Sequence, residues 1–87
     1  MTTFMVERDL NGITMKDLAA AQRAAIRQAA QMTSAGTPIR YIRSAFAPLE
    51  GRCFCLFEGP CADDVRKLND DANIPYFRVV EALDLTP

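Results

Sequence analysis

Apolar and polar positions alternate in four stretches of the chain, which is the pattern of β-strands. In the first stretch, for example, Phe4 and Val6 alternate with Glu7 and Asp9. Glycine and proline residues separate the stretches, and the closely spaced second and third stretches predict a hairpin. The predicted strands are residues 3–10, 39–47, 52–58 and 76–83.

Two segments between these strands have helical spacing instead. A long alanine-rich helix is predicted from Met15 until Gly36, with Thr14 as its N-cap, and a short helix at 61–73. The apolar stripe of the long helix consists of Met15, Leu18, Ala19, Ala25, Ile26 and Ala29. Gln22 interrupts this stripe. It is either a buried amide with a hydrogen-bond partner or a side chain that lines a cavity.

The predicted order of elements is β-α-β-β-α-β, which is the ferredoxin-like arrangement of the α+β class. We expect one domain over residues 1–87, with a four-stranded antiparallel sheet and both helices on one of its faces. The other face also carries apolar residues, and an exposed patch of that kind requires a partner. We therefore expect a homodimer that stacks its open sheet faces in an α+β barrel-like assembly around a small cavity. Association through a sheet edge is the alternative.

Composition and charge exclude several classes of function. The formal net charge is −1 and no run of Lys or Arg occurs, which argues against a nucleic-acid partner. No apolar run approaches the ~20 residues of a membrane span, and charges at residues 7–9 interrupt any signal-peptide core. These features predict a cytoplasmic protein.

All three cysteines lie in one short segment, RCFCLFEGPCADD, at 52–64. Cys53 and Cys55 alternate with Phe54, so both point to one face of a strand, where we expect them to pack as small hydrophobic residues. Cys61 lies at the start of the short helix and is either an incidental surface thiol or a redox-sensitive one. The chain has no histidine, which excludes a closed zinc site of thiolates and imidazoles within one subunit.

Three carboxylates are candidates for chemistry on the open face of the sheet. Glu7, Glu58 and Glu81 lie on strands that are neighbours in a ferredoxin-like sheet. Carboxylates brought close together raise at least one pKa or bind a cation, which suits proton transfer or a metal site. The alternative is ordinary ion pairing, for instance between Glu58 and Arg40. Tyr41 and Ser44 on the second strand would face the same space if the register of this edge strand allows it.

Four segments give the chain a family resemblance: FMVERDL, IRYIRSAF, RCFCLFEGPCADDV and NIPYFRVVEAL. Together they cover most of its length, and they contain no catalytic signature. In these segments the chain resembles a small bacterial family of ferredoxin-like proteins that includes a nickel-binding, nickel-responsive dimer. The resemblance implies a dimer and a divalent metal, nickel, as the cofactor.

Three hypotheses for function follow. The first is a small binding protein that is metal-binding or metal-responsive. Its candidate metal ligands are Glu7, Glu58, Glu81 and Cys61. The second is a dimeric α+β-barrel enzyme or binding protein for a hydrophobic small molecule, in which Glu7 or Glu81 is the general base. The residues that would contact its substrate are Gln22, Tyr41, Arg43 and Ser44. The third is a non-catalytic protein whose dimer face is its only functional surface.

Overall fold

The computed structural model describes residues 1–87 and has the predicted order of elements. The strands are β1 (Thr2–Asp9), β2 (Arg40–Ala47), β3 (Arg52–Gly59) and β4 (Arg78–Ala82), and the helices are α1 (Met15–Ser34) and α2 (Ala62–Asp71). The strands form one antiparallel sheet in the order β2-β3-β1-β4. The ferredoxin-like fold is confirmed, with a last strand shorter than predicted.

The sheet has a face covered by the helices, here called the covered face, and an open face. Phe4, Val6 and Arg8 of β1 point to the covered face, and β3 adds Cys53, Cys55 and Phe57, which are buried there. The helices contribute small or branched residues to this core, chiefly Ala25, Ala29, Val65 and Leu68. The prediction that Cys53 and Cys55 are core residues is confirmed.

The two helices begin differently. Thr14 caps α1, since its Oγ1 accepts a hydrogen bond of 3.1 Å from the backbone N–H of Asp17. Cys61 stands at the N-cap of α2 but makes no capping bond. Its thiol instead donates to Asp64 Oδ2 at 3.3 Å. Neither helix has the length and apolar character needed to cross a bilayer.

A β-bulge in the edge strand β2 decides which side chains face the helices. Tyr41 lies opposite Phe57 and Ser44 opposite Cys55, with one extra residue, Ile42, between the paired positions. Side chains three apart on a regular strand point to opposite faces. Because of the bulge, both Tyr41 and Ser44 point to the covered face.

The residues after β4 turn back over the open face. Arg43 lies on β2, at the opposite edge of the sheet from β4, and its Nη1 contacts Asp84 Oδ1 at 2.9 Å. One end of the open face is therefore partly covered by the C-terminal residues 83–87, here called the tail. The apolar residues Met5, Phe54, Leu56 and Val80 on this face are half-buried.

Candidate functional site

A cavity of about 170 Å³ lies between α1 and the covered face of the sheet. Its walls are mostly apolar and include Leu18, Ala25 and Phe46. The polar side chains that reach it are Arg8, Gln22, Tyr41, Ser44, Cys53 and Cys55. Gln22 and Ser44 are exposed, so they lie at its mouth, whereas both cysteines are buried at its floor. An apolar cavity with a few converging polar groups is the usual form of a small-molecule site.

A chain of hydrogen bonds runs from the mouth of the cavity to its floor. Gln22 Nε2 donates to the Tyr41 hydroxyl at 2.8 Å, and the Tyr41 hydroxyl lies 2.6 Å from Ser44 Oγ. Ser44 Oγ donates in turn to Cys55 Sγ at 2.9 Å. Since Tyr41 accepts from Gln22 and Ser44 gives its proton to sulfur, Tyr41 is the donor to Ser44. Every bond in the chain therefore points toward the sulfur of Cys55.

Arg8 approaches the same sulfur from the other side. Its guanidinium Nε lies 3.3 Å from Cys55 Sγ, and its other nitrogens donate to Asn69 Oδ1 at 2.7 Å and to the Pro75 carbonyl at 3.4 Å. Arg8 is only 2% exposed. None of the five salt bridges in the structure includes it. A guanidinium stays protonated in proteins, so a buried cation here has no carboxylate partner.

The two buried thiols have opposite acidities because they lie side by side. Their sulfur atoms are 3.7 Å apart. The hydrogen bond from Cys53 lowers the pKa of the Cys55 thiol, and the charge of Arg8 and the bonds from Ser44 and Arg8 add to this effect against the opposing effect of burial. The same hydrogen bond, with burial, raises the pKa of Cys53. Cys55 is therefore the thiol of the pair that ionises first.

Three of the four predicted substrate-contacting residues meet in this cavity, namely Gln22, Tyr41 and Ser44. The interpretation of Gln22 as a buried amide is wrong, because its side chain is exposed at the cavity mouth, as the cavity-lining alternative requires. Arg43 lies elsewhere, on the open face beside Asp84. Tyr41 and Ser44 face the helices rather than the carboxylates, which corrects the expectation that they share the open face.

The predicted carboxylates do not converge. Glu7 is buried on the open face and is held by Arg78, while Glu58 contacts Arg40 at 3.6 Å. Glu58 pairs with Thr3, which lies four residues along β1 from Glu7. Glu81 lies opposite Phe4 and so has the phase of the covered face, which corrects its predicted position beside Glu7.

Cys61, the fourth predicted metal ligand, lies apart from these carboxylates. It is an exposed thiol at the start of α2, bonded to Asp64. The structure contains no group of three or more His, Cys, Asp or Glu side chains placed to hold a metal ion. The predicted ligands Glu7, Glu58, Glu81 and Cys61 therefore do not form one site within a single chain.

Sequence reasoning missed Arg8 and Asn69, and it assigned Cys53 and Cys55 to packing alone. One signal was present in the sequence, since Arg8 has the same strand phase as Phe4 and Val6. An arginine in an otherwise apolar phase points into the core and needs polar partners there. The identity of those partners depends on contacts between residues more than 40 positions apart.

Comparisons with known proteins agree with the fold. The family model described as "Nickel responsive protein SCO4226-like" matches residues 4–82. The crystal structure of SCO4226 from Streptomyces coelicolor A3(2) superimposes with a TM-score of 0.81 at 22% identity, covering 97% of this chain and 99% of that one. A comparison with curated protein sequences gives no match. Because the family model spans nearly the whole domain, the chain belongs to the SCO4226-like family of nickel-responsive proteins.

Proposed function

We propose that this protein is a small metal-responsive binding protein and that the metal to which it responds is nickel. The observation that carries the proposal is the match to a family described as nickel-responsive over residues 4–82. The match includes every strand and helix of the structure, and only the first two residues of β1 lie outside it.

The donors of one chain do not by themselves fit a nickel ion. Nickel sites favour imidazole nitrogen, and the chain has no histidine. The thiol pair of Cys53 and Cys55 is a poor alternative, since the Arg8 guanidinium touches one of its sulfurs and would repel a cation. Glu7 is already neutralised by Arg78. Of the two predicted ligands on the open face, Glu58 is the more available, because its contact with Arg40 is long and its side chain is 32% exposed.

We further propose that the metal site is completed between two copies of the chain. Glu58 lies on the open face, the same face on which apolar Met5, Leu56 and Val80 are only half-buried. A homodimer that stacks these faces would bury the apolar residues and bring carboxylates from both copies into one interface. Oxygen ligands from two subunits would then supply what one subunit lacks.

The test is elemental analysis combined with native mass spectrometry on tag-free protein, since a polyhistidine tag would supply the imidazoles that the chain lacks. We expect nickel on the dimer and loss of that metal in Glu58→Gln. Glu50→Gln is the matched control, because Glu50 is an exposed glutamate in the turn between β2 and β3. A protein that stays metal-free and monomeric in the presence of nickel would refute the proposal. Equal loss of metal in both variants would remove Glu58 from the site.

The alternative hypothesis, an enzyme or binding protein for a hydrophobic small molecule, places its substrate between the open faces of two copies. Its general base would be Glu7 or Glu81, and neither side chain lines the cavity under α1. The thiols of Cys53 and Cys55 line that cavity and have shifted pKa values, so they are the candidates for any chemistry there.

A further inference from the structure

The buried cation of Arg8 is the starting point, because it needs an anion that no carboxylate supplies. Its three polar contacts are a thiol sulfur, a side-chain amide oxygen and a backbone carbonyl. Amide and carbonyl oxygens solvate a guanidinium but do not neutralise it, and an unpaired buried charge is strongly unfavourable. Cys55 is the only one of the three contacts that can become an anion. Its thiolate is therefore the counter-ion that the fold provides for Arg8.

The surroundings of Cys55 Sγ are those of a reactive thiolate rather than of a packing residue. Three donors converge on the sulfur, from Arg8, Ser44 and Cys53, at 3.3, 2.9 and 3.7 Å. Reactive cysteines lie in electropositive positions that reactants can reach, whereas inert buried cysteines lie among apolar groups. The cavity of about 170 Å³ gives small reactants a path to this sulfur past the exposed Ser44 and Gln22. A cavity of similar size in another protein admits benzene.

We propose that Cys55 and Cys53 form a redox-active pair in which the Cys55 thiolate reacts with a small hydroperoxide in the cavity and Cys53 resolves the product to a disulfide. This inference goes beyond the nickel response and does not depend on it. Nothing in the pair requires a metal, and the positive charge of Arg8 favours an anionic sulfur over a bound cation.

In the first step the Cys55 sulfur attacks the peroxide oxygen that carries the hydrogen. A sulfur–oxygen bond forms, the oxygen–oxygen bond breaks, and its electron pair leaves with the other oxygen as an alkoxide. The sulfur is oxidised by two electrons to a sulfenic acid, and the peroxide is reduced to an alcohol. The Ser44 hydroxyl gives the alkoxide its proton, which is replaced through Tyr41 from the solvent at the cavity mouth.

In the second step the Cys53 sulfur attacks the sulfur of the Cys55 sulfenic acid. A sulfur–sulfur bond forms, and the hydroxide leaves with the Cys53 proton as water. The two sulfurs must approach from 3.7 Å to a bond length of about 2.05 Å. Their position on one strand, two residues apart and on one face, makes Cys53 the nearest resolving thiol. Cys61, which is exposed on α2, takes no part in the pair.

The experiment exposes the reduced, tag-free chain to limiting hydrogen peroxide and to cumene hydroperoxide, and maps each thiol by peptide mass spectrometry over time. We expect the Cys53–Cys55 disulfide to form first, with the loss of two hydrogens, while Cys61 stays a thiol. Cys53→Ser should stop at a sulfenic acid on Cys55 that a dimedone probe traps. Oxidation that begins at Cys61, or that affects Cys55 no faster than Cys61, would overturn the proposal.

A second comparison tests the hydrogen-bond chain without removing either thiol. Ser44→Ala should slow the oxidation of Cys55 by about tenfold or more, because it removes a hydrogen bond to the thiolate and the donor to the leaving oxygen. Ser34→Ala, at the exposed end of α1, is the matched control and should react like the wild-type chain. Equal rates in the two variants would overturn the role given to Ser44. Since wild-type mapping needs no variant, misfolding of a mutant cannot hide the outcome.

Discussion

Adjacent residues on β1 place opposite charges on the two sides of the sheet, and the partners of these charges differ between the two sides. Glu7 points to the open face, where Arg78 lies directly opposite on β4 and binds its carboxylate. Arg8 points to the covered face, where its neighbours are Cys55, Asn69 and the Pro75 carbonyl. Glu7 therefore has a partner of opposite charge, the Arg78 guanidinium. Arg8 has only the weakly acidic Cys55 thiol and two uncharged dipoles, the Asn69 amide and the Pro75 carbonyl.

This difference indicates where reactive chemistry is available. A carboxylate–guanidinium pair satisfies both of its members through charge-assisted hydrogen bonds. A buried guanidinium beside a thiol changes the acidity of that thiol, because ionising the sulfur is the way to neutralise the cation. The carboxylates looked more promising in the sequence, but the two thiols with shifted pKa values lie on the side that the helices cover.

The largest expected effect comes from removing each charge in turn. Arg8→Ala should lower the free energy of unfolding by about 3 kcal/mol, because it leaves Asn69 Oδ1 without its donor, opens a void and removes the counter-ion of Cys55. Glu7→Gln should cost less than about 1 kcal/mol, since the freed Arg78 is 56% exposed and water can solvate it. Urea denaturation of both variants measures the contrast. Equal losses of unfolding free energy in the two variants would show that the charges on the open and covered faces are equally well compensated.

The dependence of stability on pH should show the second-largest effect, and its sign follows from the two thiols. In the folded chain the pKa of Cys55 is lowered, so between that value and the ordinary thiol pKa of about 8.5 the unfolded chain binds the extra proton. Stability therefore rises with pH across this window, with a slope of up to about 1.4 kcal/mol per pH unit. Above about 8.5 the raised pKa of Cys53 reverses the sign, and stability falls.

The charged or titratable groups that face Cys55 are Arg8, Cys53 and Tyr41, whereas α1 contributes the neutral Gln22 and α2 the neutral Asn69. Denaturation curves across pH for the wild-type chain and for Cys55→Ser separate the contribution of this thiol. The variant should lose the rising limb below about 8.5. Parallel curves would mean that Cys55 is not ionised in the folded chain.

The fold was predictable because its signals are local. Alternation fixed the strands, Gly and Pro separated them, and Thr14 marked the start of the long helix. The phase of β3 also followed from the sequence, so the burial of Cys53 and Cys55 was predicted. Which residues of β4 face the helices could not be predicted, because both sets of alternating positions on β4 contain apolar and charged residues. Because Arg78 pairs with Glu7, it lies on the open face, and Glu81, which is three residues further on, points to the covered face.

The site was less predictable because it depends on an irregular strand and on distant contacts. The bulge between Tyr41 and Arg43 turns Ser44 toward Cys55, and no residue at 40–44 is a glycine or another sign of a bulge. The interruption of the helix stripe by Gln22 offered a cavity as one of two alternatives. That cue was in the sequence, whereas the partners of Arg8 required the folded chain.

The smallest expected effect concerns the tail. It tests whether an ion pair holds the tail on the open face. Asp84→Asn removes the contact with Arg43, and because Arg43 is more than half exposed, the free energy of unfolding should fall by less than about 0.5 kcal/mol. Fast backbone motion measured by NMR relaxation should nevertheless increase in residues 83–86, because the contact holds the tail across the sheet. Asp71→Asn is the matched control, since it breaks another exposed pair, with Lys67 on α2. If the backbone of the tail is equally mobile in both variants, its position does not depend on charge. The open face would then differ from the covered face in its packing as well as in its ion pairs.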